Sequence, residues 1–148
     1  MAEDGRRDVV LQSMAFALVG DLLIACHSDA PPADSEWDKW IERGRTGDHV
    51  GILVSSEGGA PNSAQRARLS KMVATKAEPP PFVLLTRSAL LRSVLTAFSW
   101  LLPSKQRLRA LPPDALAEAL SWLGVSIPAQ HVSDTITRLR GALAKGRA

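Results

Sequence analysis

The stretch Val50-Gly51-Ile52-Leu53-Val54-Ser55-Ser56-Glu57-Gly58-Gly59-Ala60-Pro61-Asn62 decides the fold. Its first half is a short apolar run rich in β-branched residues, the pattern of a strand buried on both faces. Its second half is a polar, glycine-bearing loop ending in Pro61. Asn62 is a good helix N-cap, with Gln65 at the third helical position to complete a capping box. Leu69, Met72 and Val73 give the following helix its apolar stripe, while Arg66, Arg68 and Lys71 point elsewhere. A strand, a short loop and a capped helix make one βα unit.

The same unit recurs on both sides. Downstream, Pro79-Pro80-Pro81 closes a loop before the strand Phe82-Val83-Leu84-Leu85. Thr86 or Ser88 caps a longer helix carrying Leu90, Leu91, Val94, Leu95, Phe98, Leu101 and Leu102, and Pro103 stops it. Arg107 to Leu111 reads as a shorter strand. Pro112-Pro113 starts a helix bearing Leu116, Leu120 and Leu123, which Gly124 ends. Upstream, Val9 to Leu18 and Leu22 to Cys26 read as two strands joined by a Gly20-Asp21 hairpin turn. A helix follows from Asp34 to Arg43, with Ser35 and Asp38 as its capping pair and Gly44 as its stop. Trp37, Trp40 and Ile41 share one face of it. Beyond Pro128 a last helix places Val132, Ile136, Leu139 and Leu143 in one stripe.

The expected fold is therefore α/β: an N-terminal β-hairpin, four sequential β-α units in a mostly parallel sheet, and an extra C-terminal helix. Right-handed crossovers between neighbouring strands put the four unit helices on one face. The expected division is a disordered N-terminus over residues 1–7, an α/β domain over 8–125 and an amphipathic C-terminal helix over 126–148. That last helix either covers the open sheet face or pairs with a partner helix, giving a homo-oligomer.

Composition narrows the function. The 148 residues are 45% hydrophobic and 22% charged, as in ordinary globular proteins. A single cysteine, Cys26, excludes an internal disulfide, and scattered histidines (His27, His49, His131) give no metal-ligand spacing. No metal and no cofactor is expected. The apolar stretch from Val9 to Ile24 is broken by Gln12, Ser13, Gly20 and Asp21, so neither a signal peptide nor a membrane span is read there. The expected setting is cytoplasmic. Charge is uneven: residues 1–63 hold 5 Lys/Arg and 11 Asp/Glu (net −6), and residues 64–148 hold 13 and 4 (net +9). In a sequentially wound sheet these halves fall on opposite sides, which predicts a dipolar molecule. The acidic half and the scarcity of aromatic stacking residues argue against nucleic acid as a partner.

Several local features carry a family resemblance. They are Glu36-Trp37, Gly58-Gly59-Ala60-Pro61-Asn62, Arg92 and Trp100, and the closing Ala119-Leu120-Ser121-Trp122-Leu123-Gly124. With the element order, residues 8–125 resemble the STAS domain, the anti-sigma-factor-antagonist fold, in a divergent standalone bacterial form. The resemblance implies a non-catalytic module of bacterial signalling that docks to another protein, a regulator or a kinase. In that family the loop after the third strand carries an Asp-Ser pair followed by Gly, and the serine is phosphorylated. Here the matching segment is Ser55-Ser56-Glu57-Gly58-Gly59, with Val54 in place of the acid. Ser55 and Ser56 are thus the expected phosphorylation sites. Ser55, Ser56, Glu57, Gly58, Gly59, Asn62, Arg66 and Arg68 form the expected docking surface.

Other chemistries fit less well. Gly58-Gly59 lacks the Gly-Lys-Ser/Thr of a nucleotide loop. A phosphate-accepting receiver domain needs a cluster of acids at strand ends that is missing here. Cys26 and His27 are adjacent on a strand, so they face opposite ways and make no nucleophile–base pair; no catalytic residue is expected. The basic, amphipathic segment from Arg87 to Arg109 reads as a core helix and not a membrane-surface one. The alternative to protein docking is a small ligand, a lipid or a nucleotide, in a pocket lined by Trp and Leu.

Overall fold

The structure is a computed structural model that describes residues 8–47, 49–100 and 106–146. The predicted ends at residues 1–7 and 147–148, and the predicted helix stop at Leu101, Leu102 and Pro103, lie outside the described residues.

Among the described residues six strands form one sheet in chain order, β1 (Val9–Val10), β2 (Met14–Val19), β3 (Leu22–His27), β4 (Gly51–Ser56), β5 (Phe82–Thr86) and β6 (Leu108–Leu111). The first three pair antiparallel and the last three add in parallel. The fold class read from the sequence is the one observed. The first strand, however, is two. The chain turns at Leu11, whose N–H donates to the Met14 carbonyl at 2.8 Å, and Val9 folds back opposite Phe16. Gly20, at φ 57°, makes the predicted hairpin turn.

The helices described over the sheet are α1 (Asp34–Thr46), α2 (Ser63–Ala74), α3 (Ala89–Ser99), α4 (Leu116–Leu123) and α5 (Ala129–Gly146). The alternation of the strands builds two cores. On one face Phe16, Leu23, Ala25, Val54 and Leu84 meet Trp37 and Trp40 of α1 and Leu91 of α3. On the other Ala17, Ile24, Leu53 and Val83 meet Leu120 of α4 and Val132, Ile136 and Leu139 of α5. So three of the four unit helices share a face and α4 does not. The physical reason is that α1, α2 and α3 are crossovers between parallel strands, whose hand is fixed. The α4 helix follows the last strand and joins nothing back to the sheet, so handedness does not constrain it.

Helix ends explain other departures. The box of Asn62 and Gln65 forms as predicted, Gln65 N–H to Asn62 Oδ1 at 2.8 Å and Asn62 N–H to Gln65 Oε1 at 2.9 Å. Ser88 caps α3, its Oγ accepting the Leu91 N–H at 3.1 Å. In α1 the working acceptor is Glu36, not the Ser35 pair; its carboxylate takes the Ala33 N–H at 3.1 Å. Gly44 does not end α1. It lies inside the helix, where a Cβ would stand 3.1 Å from Met72 Cε of α2, so the glycine lets the two helices close up. Leu90, expected in the apolar stripe of α3, is 74% exposed; Leu91 beside it is 6% exposed.

The last helix lies along β2 and β3 with its whole stripe buried. It therefore covers the sheet face, and that stripe is not available to a partner helix. Its position also reduces the predicted charge separation. Basic α5 returns across the N-terminal strands, Arg138 pairs with Asp8 at 2.7 Å, and Arg140 approaches Glu57 at 4.0 Å.

Candidate functional site

The parallel register sets His27, Ser56 and Thr86 side by side at the C-terminal ends of β3, β4 and β5. All three are buried. By strand alternation they continue the face that carries Ala25, Val54 and Leu84, under α1–α3. Cys26 and Ser55 are paired in register on the opposite face.

Above this row the loop from Glu57 to Pro61 folds tightly onto the chain after β3. The Glu57 N–H donates to the His27 carbonyl at 3.0 Å, and the Gly59 N–H to the Ser28 carbonyl at 2.9 Å. The approach is close: a Cβ on Gly59 would stand 2.2 Å from the Ala30 carbonyl oxygen. Gly58 takes φ 126°, a conformation that other residues rarely adopt. Gly59 is thus needed for close backbone packing and Gly58 for its backbone angle.

The α1–α2 pair forms the roof. Gln65 is 2% exposed and knits it, its Nε2 donating to the Pro32 carbonyl at 2.9 Å and to Asp34 Oδ1 at 3.0 Å. Trp37 donates through Nε1 to the Gln65 carbonyl at 2.7 Å. Trp40 stacks at a tilt on Phe16, ring centres 5.5 Å apart. Both tryptophans are buried; the exposed one is Trp100 at the end of α3.

Between roof and sheet lies a cleft of about 630 Å³, counting the space open to solvent at its mouth. Trp37, Trp40, Leu69, Leu84, Leu91 and Phe98 are among its walls. Of its lining residues, only His27, Ser56 and Arg66 carry a polar side chain beyond the tryptophan N–H groups. Ser56 Oγ is occupied, accepting the Gly58 N–H at 3.1 Å and facing the Gly59 carbonyl at 3.4 Å. His27 is different. It is 6% exposed, and neither ring nitrogen has a hydrogen-bond partner. Burial pushes its pKa down to about 4, against the opposing pull of the Glu36 carboxylate, so the ring is neutral at physiological pH. Arg66 donates to the Pro61 carbonyl at 2.8 Å through one nitrogen of its fork.

The expected docking residues are placed as follows. Ser55 and Ser56 are 2% and 5% exposed, and Ser55 Oγ accepts a hydrogen bond from Arg140. A kinase has no access to either hydroxyl while β4 stays paired. Glu57 and Asn62 reach solvent at the loop, and Arg68 is engaged with Asp34 at 3.2 Å and Asp38 at 3.4 Å. Arg66 turns to the cleft instead of joining them. Cys26 is buried, its Sγ 3.7 Å from the Ile136 carbonyl, and burial pushes its thiol up to about 12. Such a thiol carries almost no thiolate and is a poor nucleophile. Sequence reasoning met His27 only beside Cys26; the signal available was one polar ring closing an otherwise apolar strand, Leu22 to Cys26.

Among the described residues no group of three His, Cys, Asp or Glu is placed to hold a metal ion, and no helix is long and apolar enough to cross a membrane. No protein family, curated protein or solved structure matches the chain.

Proposed function

We propose that the chain is a binding protein that holds a small, largely apolar molecule with a polar group in the cleft between α1–α3 and the sheet. His27 carries this reading. A buried imidazole with both nitrogens unpartnered costs on the order of 1–3 kcal/mol, and such an orphan in an otherwise apolar cleft calls for a ligand to complete it. The cleft also has the character of small-molecule sites, mostly apolar walls with a few polar groups at one end. Because the strand order never reverses, there is no switch-point crevice, and the site sits under the helical layer instead.

The test is fluorescence of the neutral probe N-phenyl-1-naphthylamine with the purified chain, together with native mass spectrometry of the sample before and after delipidation. Saturable enhancement is expected, reduced by Val94→Trp, which fills the cleft from α3. No enhancement, and identical masses before and after delipidation, would overturn the reading.

Protein docking through the loop of Ser55–Asn62 is a second reading, and it is the one the STAS resemblance suggests. The exposure of Glu57, Asn62 and Arg68 supports it. It ranks second because the two serine hydroxyls are buried and Arg66 and Arg68 already meet local partners. A pull-down with the wild-type chain, repeated with Glu57→Lys and Arg68→Glu, tests it: loss of the same captured protein from both variants is expected.

A further inference from the structure

A neighbouring cleft adjoins the first beneath the helical layer. This second cleft, about 550 Å³ with its open mouth, shares Trp40, Leu69, Phe82 and Phe98 with the first and continues to Lys76 and Pro79. The two follow the sheet from Ser56, at the end of β4, back to Ile52 near its start, a run of about 13 Å at strand rise. The middle of this path is apolar. Polar side chains stand at its ends: His27, Ser56 and Arg66 at one, Lys76 and Gln106 at the other. Gln106 is held by the Pro80 carbonyl at 2.7 Å. Among the described residues no Asp or Glu lines either cleft, and each cleft has one cation at its edge.

Two adjoining apolar clefts with a buried orphan donor and a guanidinium at one end, and no acid among their described lining residues, favour one kind of molecule. Resting on the ligand reading above, we propose that the occupant is a single-chain amphiphile with a carboxylate head. The head lies at His27 and Arg66. Neutral His27 supplies one N–H, and the free part of the Arg66 fork supplies charge-assisted hydrogen bonds of the geometry a carboxylate accepts. The tail runs between Trp40, Leu69, Phe82 and Phe98 toward Lys76. A cationic head would meet Arg66, and the acid that acts on His27, Glu36, is already taken up by the hydrogen bonds of Ser13 and Ala33. A neutral alcohol would satisfy His27 and leave Arg66 unused.

The experiment uses one tail with three heads. Decanoate, decanol and decylamine, each below its micelle concentration, compete with N-phenyl-1-naphthylamine bound to the full chain. Decanoate should displace the probe at the lowest concentration and decylamine at the highest. Arg66→Gln should weaken decanoate about tenfold more than decanol, the scale of one charge-assisted hydrogen bond. Lys71→Gln, an exposed α2 residue outside both clefts, serves as the control for net charge. His27→Phe should weaken decanoate and decanol together, with folding of each variant checked by circular dichroism. If decanoate and decanol compete equally, or Arg66→Gln changes both alike, the carboxylate inference is overturned while the ligand reading stands. If the probe itself fails to bind, the ligand reading falls and takes this inference with it.

Discussion

Glu36 on α1 accepts two hydrogen bonds from Ser13, one from its backbone N–H and one from its hydroxyl, each at 2.8 Å. With the Ala33 N–H at 3.1 Å, one carboxylate thus fixes the turn between β1 and β2 and the start of the first helix. Burial pushes the Glu36 carboxyl up, but these hydrogen bonds outweigh it and hold its pKa below the usual carboxylate range. Removing the carboxylate strands three donors. Glu36→Ala should destabilise by about 3 kcal/mol, since hydrogen bonds to charged groups contribute more than neutral ones. Because the folded pKa is depressed, this contribution is present above the unfolded carboxyl pKa and is lost as pH falls below it. Urea unfolding of both proteins at neutral pH checks the size, and a loss under about 0.5 kcal/mol would contradict the role given to Glu36.

His27 sets a separate acid limit. Its folded pKa, about 4, lies below the ordinary 6.5, so the unfolded state binds a proton first as pH falls. Stability should be flat above the unfolded value and drop by about 2 kcal/mol between pH 7 and pH 5 from this residue alone. His27→Phe should flatten that window. Denaturant midpoints at the two pH values for both proteins decide it, and an unchanged slope in the variant would refute the assignment.

Gly59 tolerates no side chain. The atoms a Cβ would strike are the Ala30 and Ser28 carbonyl oxygens, at 2.2 and 2.6 Å, and backbone cannot swing aside as a flexible side chain does. Gly59→Ala should cost about 2 kcal/mol, the scale of overpacking. It should also loosen the loop over His27, seen as faster amide exchange at Glu57, whose N–H bonds the His27 carbonyl. A melting temperature within a degree of wild type would show that the close approach is not real.

The α5 helix is part of the core. Leu139 is fully buried against the sheet. Leu139→Ala should destabilise by about 3 kcal/mol, as large-to-small core changes do. Leu90→Ser, at a site 74% exposed, should stay within about 0.5 kcal/mol. Equal effects in thermal unfolding would mean that the two helices are placed the wrong way round relative to solvent.

Local pattern carried most of the secondary structure. Ile52-Leu53-Val54, the Asn62–Gln65 box, Ser88 and Gly124 each report an element or its end through interactions spanning only a few residues, and such interactions leave a mark in a short window. The apolar stripe of Val132, Ile136, Leu139 and Leu143 likewise announced a helix with one buried side. It did not say what that side meets, because a partner helix and the open face of a sheet offer the same apolar surface.

Tertiary structure alone decided the rest. The face chosen by α4, the return of α5 across β2 and β3, and the pairing of Asp8 with Arg138, 130 residues away, depend on how finished elements pack. The break at Ser13 depends on a carboxylate 23 residues further on. Above all, the cleft has no sequence signature. Its walls come from three helices and from four strands, each contributing residues that look like ordinary core. His27 reads as the last residue of an apolar strand until the register sets it beside Ser56 and the roof closes without giving its ring a partner. A chain records which of its residues avoid water. Which of them still lack a neighbour emerges only when the packing is complete.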